Sequence, residues 1–139
     1  MIEVTPTTDI DTCRTIRRRV FIEEQHVPEE LEWDGLDDQA EHLLALMEGV
    51  PIGTARVLVK GDTGKIGRVC VLPEARGTGC GAALIMASLE LLRGHVGITT
   101  ARLGAQCHAI PFYERLGFVP FGPVYDDAGI PHRDMQRSL

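Results

Sequence analysis

Arg76, Gly77, Thr78, Gly79, Cys80, Gly81 and Ala82 are the residues of this chain whose spacing points most directly to chemistry. Glycines at alternate positions let a ligand approach the main chain without meeting a Cβ. The Arg76 guanidinium can offer phosphate two parallel hydrogen bonds. The apolar run that follows predicts a helix from Gly79 to about Gly94. Its first N–H groups have no partner inside the helix, and its dipole places partial positive charge there. Val69–Leu72, just before the turn, reads as a buried strand that Pro73 ends. Strand, glycine turn and helix start together describe an anion site.

Three phosphate motifs compete for that stretch. A Walker loop needs a terminal Lys, and no Lys follows Lys65. A Rossmann fingerprint can be laid on Gly77, Gly79 and Ala82. It would want an acid about 20 residues later, and His95–Gln106 has no Asp or Glu. The third pattern, R-x-x-G-x-G after a V-x-P strand end, fits Val71–Gly81 best.

A second chemical feature is an acidic segment. Glu23 to Asp38 holds eight carboxylates (Glu23, Glu24, Glu29, Glu30, Glu32, Asp34, Asp37, Asp38) and no Lys or Arg. The net charge of −6 is therefore local: the other residues, 14 basic and 12 acidic, sum to about +2. Such a field would gather ammonium groups, although charge runs are commonly solvated surface. Overall acidity argues against nucleic acid as a partner. The four cysteines show no metal-binding spacing, so no metal is expected. Cys13 and Cys70 read as core residues. Cys80 lies near a helix start, where a thiol pKa can fall.

The elements that must position these groups follow from periodicity and breakers. Met1–Val4 reads as a strand ended by Pro6, and Ile10 to about Gln25 as a helix broken at Val27-Pro28. A loop or short helix follows to Gln39. Glu41–Glu48, Ile52–Val59 and Lys65–Leu72 read as successive strands joined by glycine turns. After the long helix come a strand Ile98–Gln106, a helix Ala109–Leu116, and strands Phe118–Val124 and Pro131–Arg137. The order βαβββαβαββ predicts an α/β (α+β) mixed sheet with helices on both faces, in one domain over residues 1–139. With no membrane-length apolar run and no signal pattern, a cytoplasmic protein is expected, without a membrane partner.

The R-x-x-G-x-G turn, the element order and Ala109-Ile110-Pro111-Phe112-Tyr113-Glu114-Arg115-Leu116-Gly117-Phe118 together resemble the GCN5-related N-acetyltransferases (GNAT). The last stretch is similar to that family's A-x-x-F-Y-x-x-x-G-F block. Val20–Gln25 with Asp34–Asp37, and Gly129-Ile130-Pro131-His132, resemble its ElaA-like branch.

The resemblance implies acetyl-CoA as donor and direct transfer to an amine, without a covalent enzyme intermediate. It implies that the Val71 amide binds the pantetheine or acetyl carbonyl. The amides of Arg76, Gly77, Thr78, Gly79, Cys80, Gly81 and Ala82 would hold pyrophosphate. Tyr113 would protonate the leaving thiolate, and Gln106 would contact pantetheine. A fixed N–H at a developing oxyanion and a phenol beside a thiolate are sound devices; the plainer reading of Tyr113 is an amphipathic residue beside core Phe112, and the matched block favours the acid role. Many relatives carry a Glu where this chain has Gly67, so the base must lie elsewhere or be water. Glu24, Asp34, Asp37, His42 and His132 are candidates; Glu24 and His132 are preferred, since Glu24 sits where the family places its acceptor and histidine's ordinary pKa suits base work. The acceptor would be a small-molecule or protein amine, cationic if the acidic segment serves it. A homodimer fits the family pattern. The alternatives are a CoA-binding module without turnover and, more distantly, a nicotinamide-binding domain.

Overall fold

The computed structural model describes all of residues 1–139. One seven-stranded sheet runs β1-β2-β3-β4-β5-β7-β6. Its strands are β1 (Ile2–Thr7), β2 (Glu41–Met47), β3 (Val50–Lys60), β4 (Thr63–Val71), β5 (Thr100–Gln106), β6 (Val119–Asp127) and β7 (Ile130–Ser138). The helices are α1 (Ile10–Arg17), α2 (Glu29–Glu32), α3 (Cys80–Arg93) and α4 (Ile110–Arg115). The expected order holds, with α2 as the short extra helix. β1 continues through Pro6, which was expected to end it. β1 is an edge strand paired only with β2, where a missing N–H is tolerated.

Two cores lie on opposite faces of the sheet. Leu84, Ile85, Leu89 and Leu92 of α3 pack with Leu43, Ala45 and Ile66 on one face. Cys13, Ile16 and Val20 pack with Leu44, Cys70 and Leu72 on the other. Leu43 and Leu44 are neighbours and serve opposite cores, as strand alternation requires. In β4, Ile66 and Cys70 should share a face, yet they belong to different cores. The cause is a bulge. Thr54 pairs with Cys70 and Arg56 with Gly67, so Arg68 and Val69 together face Ala55. Arg68 takes φ 51° there. The extra residue reverses the alternation and re-aims the strand just before the glycine turn.

α1 does not simply stop at Arg17. Arg18–Glu24 continues as a π-helix, and the Gln25 N–H reaches back five residues to the Val20 carbonyl. Phe21 and Gln25, on this wider turn, both line a cavity between β4 and β5.

Candidate active site

β4 and β5 run parallel but pair only from Thr63–Lys65 with Thr100–Arg102. Beyond that point they diverge, and β5 continues to pair with β7 on its other edge. A cavity of about 340 Å³ occupies the divergence, within the range of small-molecule sites. Gln25, Gly67, Val69, Gln106, Tyr113 and His132 are among its walls.

The β4 end of this gap is built from main chain. The Leu72 N–H donates to the Ile52 carbonyl at 2.8 Å, so it faces β3. Alternation turns the Val71 N–H away from β3. The Val71 carbonyl accepts from Arg76 Nε at 3.2 Å, which ties the strand end to the turn that follows. The glycine turn follows. Gly77 and Gly79 have φ of 78° and 85°, and a Cβ on either would meet nothing within 4 Å. Gly79 is the N-cap of α3, with no side chain bonding the first helical N–H groups. Fourteen residues of helix therefore direct an uncapped, positive N-terminus at a turn that presents open backbone. The donor set suits pyrophosphate.

Tyr113 packs edge-to-face on Phe112 and Phe118, with ring centroids 5.0 and 6.1 Å apart. Burial pushes its phenol up to about 12, so it is a protonated donor near neutrality. His132 stacks on Tyr125 at 5.8 Å, and its Nδ1–H donates to the Ile130 carbonyl at 2.7 Å. That bond fixes the neutral tautomer and leaves Nε2 as the lone-pair nitrogen.

Other expected residues are differently occupied. Both Arg76 terminal nitrogens donate to Glu24 at 2.7 Å, forming a two-point ion pair. Glu24 is thus not a free base: the Arg76 hydrogen bonds hold its carboxyl below its usual range. Gln106 lies in the cavity wall, but its amide nitrogen donates to Gln25 Oε1 and its oxygen accepts from His108. Cys80 is buried, which raises its thiol pKa, contrary to the expected lowering; its thiol packs as core while its N–H belongs to the turn. His42 is buried and donates to the Asp37 carbonyl.

The acidic segment departs furthest from expectation. Glu32, Asp34 and Asp37 turn inward onto Arg14, Arg17, Arg56 and Arg68. Glu29 pairs with Arg18, leaving Glu23, Glu30 and Asp38 without an ion-pair partner. Asp34 is lowered to about 2, chiefly by its hydrogen bonds to Arg56. Asp37 is also strongly lowered: its Arg17 and Arg14 bonds outweigh the opposing cost of burial. Neither carboxylate is available as a base. Trp33 closes the network, with the Arg17 and Arg18 guanidiniums 5.3 and 5.5 Å from its ring.

Two wall features escaped the motifs. Arg68 enters through the bulge, and nothing local in R-V-C-V announces it. Tyr125 folds over β5, where a Cβ on Gly104 would sit 2.5 Å from its hydroxyl. An isolated glycine within a strand was the available signal for that close approach.

Comparison with known proteins now adds to this geometry. A family model described as "Acetyltransferase (GNAT) domain" matches residues 6–139. The chain belongs to the GNAT acetyltransferase family. Protein ElaA of Escherichia coli is 34% identical over 89% of this chain and 84% of its own length. The ElaA crystal structure superposes with a TM-score of 0.86, at 31% identity over 99% of each chain. An acyl-CoA N-acyltransferase from Pseudomonas aeruginosa gives the same score, identity and coverage. The fold is shared more distantly with PaiA N-acetyltransferase from Thermoplasma acidophilum, solved with coenzyme A. That match has TM-score 0.76 and 16% identity, covering 100% of this chain and 99% of that one. No helix of this GNAT chain is long and apolar enough to cross a membrane.

Proposed function

We propose that this GNAT protein transfers an acetyl group from acetyl-CoA directly to an amine. One observation carries the reading: β4 and β5 separate after Lys65 and Arg102, and β4, its Val71 N–H turned away from β3 by alternation, leads into the open turn at Gly77 and Gly79. A distant relative of the same fold, PaiA, was solved with coenzyme A.

The main-chain amides from Arg76 to Ala82 hold the pyrophosphate, using the uncapped start of α3. Acetyl-CoA supplies a thioester carbonyl as the electrophile. The Val71 N–H stabilises negative charge on the carbonyl oxygen, a device commonly worth several kcal/mol. Tyr113, kept protonated by burial, gives its proton to the leaving sulfur. His132 accepts the amine proton at Nε2, because Nδ1 is committed to the Ile130 carbonyl. Gly67 contributes no carboxylate, and Glu24 is taken by Arg76. His132 therefore has the base position to itself among the candidates.

Two measurements test this. Acetyl-CoA and CoA, but not NADH, should raise the melting temperature; a ligand at 100 times its Kd adds roughly 2.7 kcal/mol. Tyr113→Phe should lower kcat for thiol release about 100-fold while leaving the acetyl-CoA shift intact. A normal thermal shift with no turnover on any amine would instead favour a CoA-binding module. Absence of any shift in folded protein would remove the cofactor reading itself.

A further inference from the structure

We infer that the acceptor amine carries a carboxylate, which the β4 side of the cavity holds through Arg68 and Lys65; this rests on the acetyl-transfer reading above. The acidic segment expected to attract cations is largely consumed by internal ion pairs. The ion-pair cluster, buried at Arg17, Arg56, Glu32 and Asp37, holds four arginines (Arg14, Arg17, Arg56, Arg68) against three carboxylates (Glu32, Asp34, Asp37). Its excess charge is positive.

Arg68 brings that charge to the cavity wall. Its Nε donates to Glu32 Oε2 at 3.0 Å. Its Nη2 donates to the Leu31 and Glu32 carbonyls and to Asp34 Oδ2, at 3.2 to 3.3 Å. Nη1 has no protein partner. It is not sealed off either, because the buried side-chain nitrogen without a partner is Arg56 Nε. The guanidinium is thus fixed by four bonds while one nitrogen faces solvent, which lowers the ordering cost of a new bond. Lys65, exposed on the same strand and also in the wall, has no ion pair. Together they present N–H donors suited to an oxyanion.

The other charged groups of the wall sit differently. Asp127 and His132 belong to the β6–β7 hairpin, and Glu32 has its Oε2 occupied by Arg17 and Arg68. His108 gives its Nε2–H to Gln106. Lys65 pairs with Arg102, whereas His132 pairs with Gln106, four residues further along β5. The cavity therefore has a cationic β4 side, with Lys65 near the strand divergence and Arg68 three residues further along, and a basic, Asp127-flanked side by His132 on the hairpin. An amino acid fits with its carboxylate towards Arg68 and Lys65 and its nitrogen towards His132. A diamine would place a second ammonium against the same two cations, an unpaired repulsion.

The test is thiol release from acetyl-CoA with matched acceptors: phenylalanine against phenethylamine, alanine against ethylamine, 6-aminohexanoate against pentylamine. In at least one pair the acid should have the higher kcat/KM, by roughly tenfold or more, and the preference should weaken with salt. Lys65→Met and Arg68→Gln should each collapse the acid-to-amine ratio. Lys65 lies outside the buried cluster, so its variant remains informative if Arg68→Gln unfolds. Equal use of acid and amine, or preference for the plain amine in every pair, overturns the assignment while leaving acetyl transfer standing. An unchanged ratio in Lys65→Met and in folded Arg68→Gln also overturns it. No turnover with any acceptor overturns both readings together.

Discussion

The β4–α3 turn and the Glu23–Asp38 segment are joined by an ion pair between Arg76 and Glu24, and they are built on opposite plans. The turn works through main chain. There Gly77 and Gly79 hold φ near 80° and α3 begins uncapped. The segment works through side chains, and every useful partner is distant in sequence: Arg17 is 15 residues from Glu32, and Arg68 is 36. One region stores its chemistry in local backbone geometry. The other stores it in tertiary pairing, so its charge says little until the fold is known.

The contrast is broken most severely at Arg17. This side chain is 1% exposed and binds both Glu32 and Asp37 at 2.8 Å. Arg17→Met should cost about 3–5 kcal/mol, because two buried carboxylates lose their shared cation. Urea denaturation measures this. Arg76→Met, at a pair 44% and 39% exposed, should cost less than about 1 kcal/mol. If the two substitutions cost the same, the distinction between the regions fails.

Acid provides the next largest effect. Asp34 is lowered from 3.8 to about 2 by its Arg56 bonds. A depressed carboxylate stabilises the fold fully above its unfolded pKa, and that contribution fades as pH falls through the folded value. The window is therefore about pH 4 to pH 2, and the loss from this group alone is on the order of 2 kcal/mol. Asp37 shifts in the same direction and extends the loss to lower pH. Denaturation profiles at pH 5, 3 and 2 should show the decline, and Asp34→Asn should flatten it. A profile unchanged by Asp34→Asn would show that the pair stores no such energy.

The same distinction explains what could be read before the fold was known. Strands, helices and the glycine turn were legible because each depends on period, breakers or glycines within a dozen residues. The block from Ala109 to Phe118 was legible for the same reason, and it placed Tyr113 in the wall. Arg17 was not: in I-D-T-C-R-T-I-R it reads as either face of α1, and only Glu32 and Asp37 decide that it is buried. The reversal of alternation at Arg68 was hidden too, since one extra residue in a strand leaves no compositional mark. Cys80 misled because proximity to a helix start suggests a reactive thiol, whereas packing in the core governs its pKa.

The two regions touch at one two-point contact, between Glu24 and Arg76; Arg19, just before the segment, holds Glu74 of the turn in the same way. Glu24→Gln gives the smallest expected effect and the sharpest distinction. Its stability change should stay within about 1 kcal/mol, as for other half-exposed pairs. Its effect on binding follows from competition. Phosphate and the Glu24 carboxylate seek the same two nitrogens of Arg76, so removing the carboxylate should tighten CoA about two- to fivefold, within the energy of a surface pair. Calorimetric titration of CoA into wild type and variant measures that change. Weaker binding would mean that Glu24 orients Arg76 for the ligand rather than competing for it. Turnover separates a third role. A general base lost at Glu24 would lower kcat about 100-fold whatever happens to binding, and the base role would then pass from His132 back to Glu24. With His132 as base, kcat in Glu24→Gln should remain within a few-fold of wild type. The segment would then meet the turn as a brace on its arginine, with the proton transfer made on the hairpin side of the cavity.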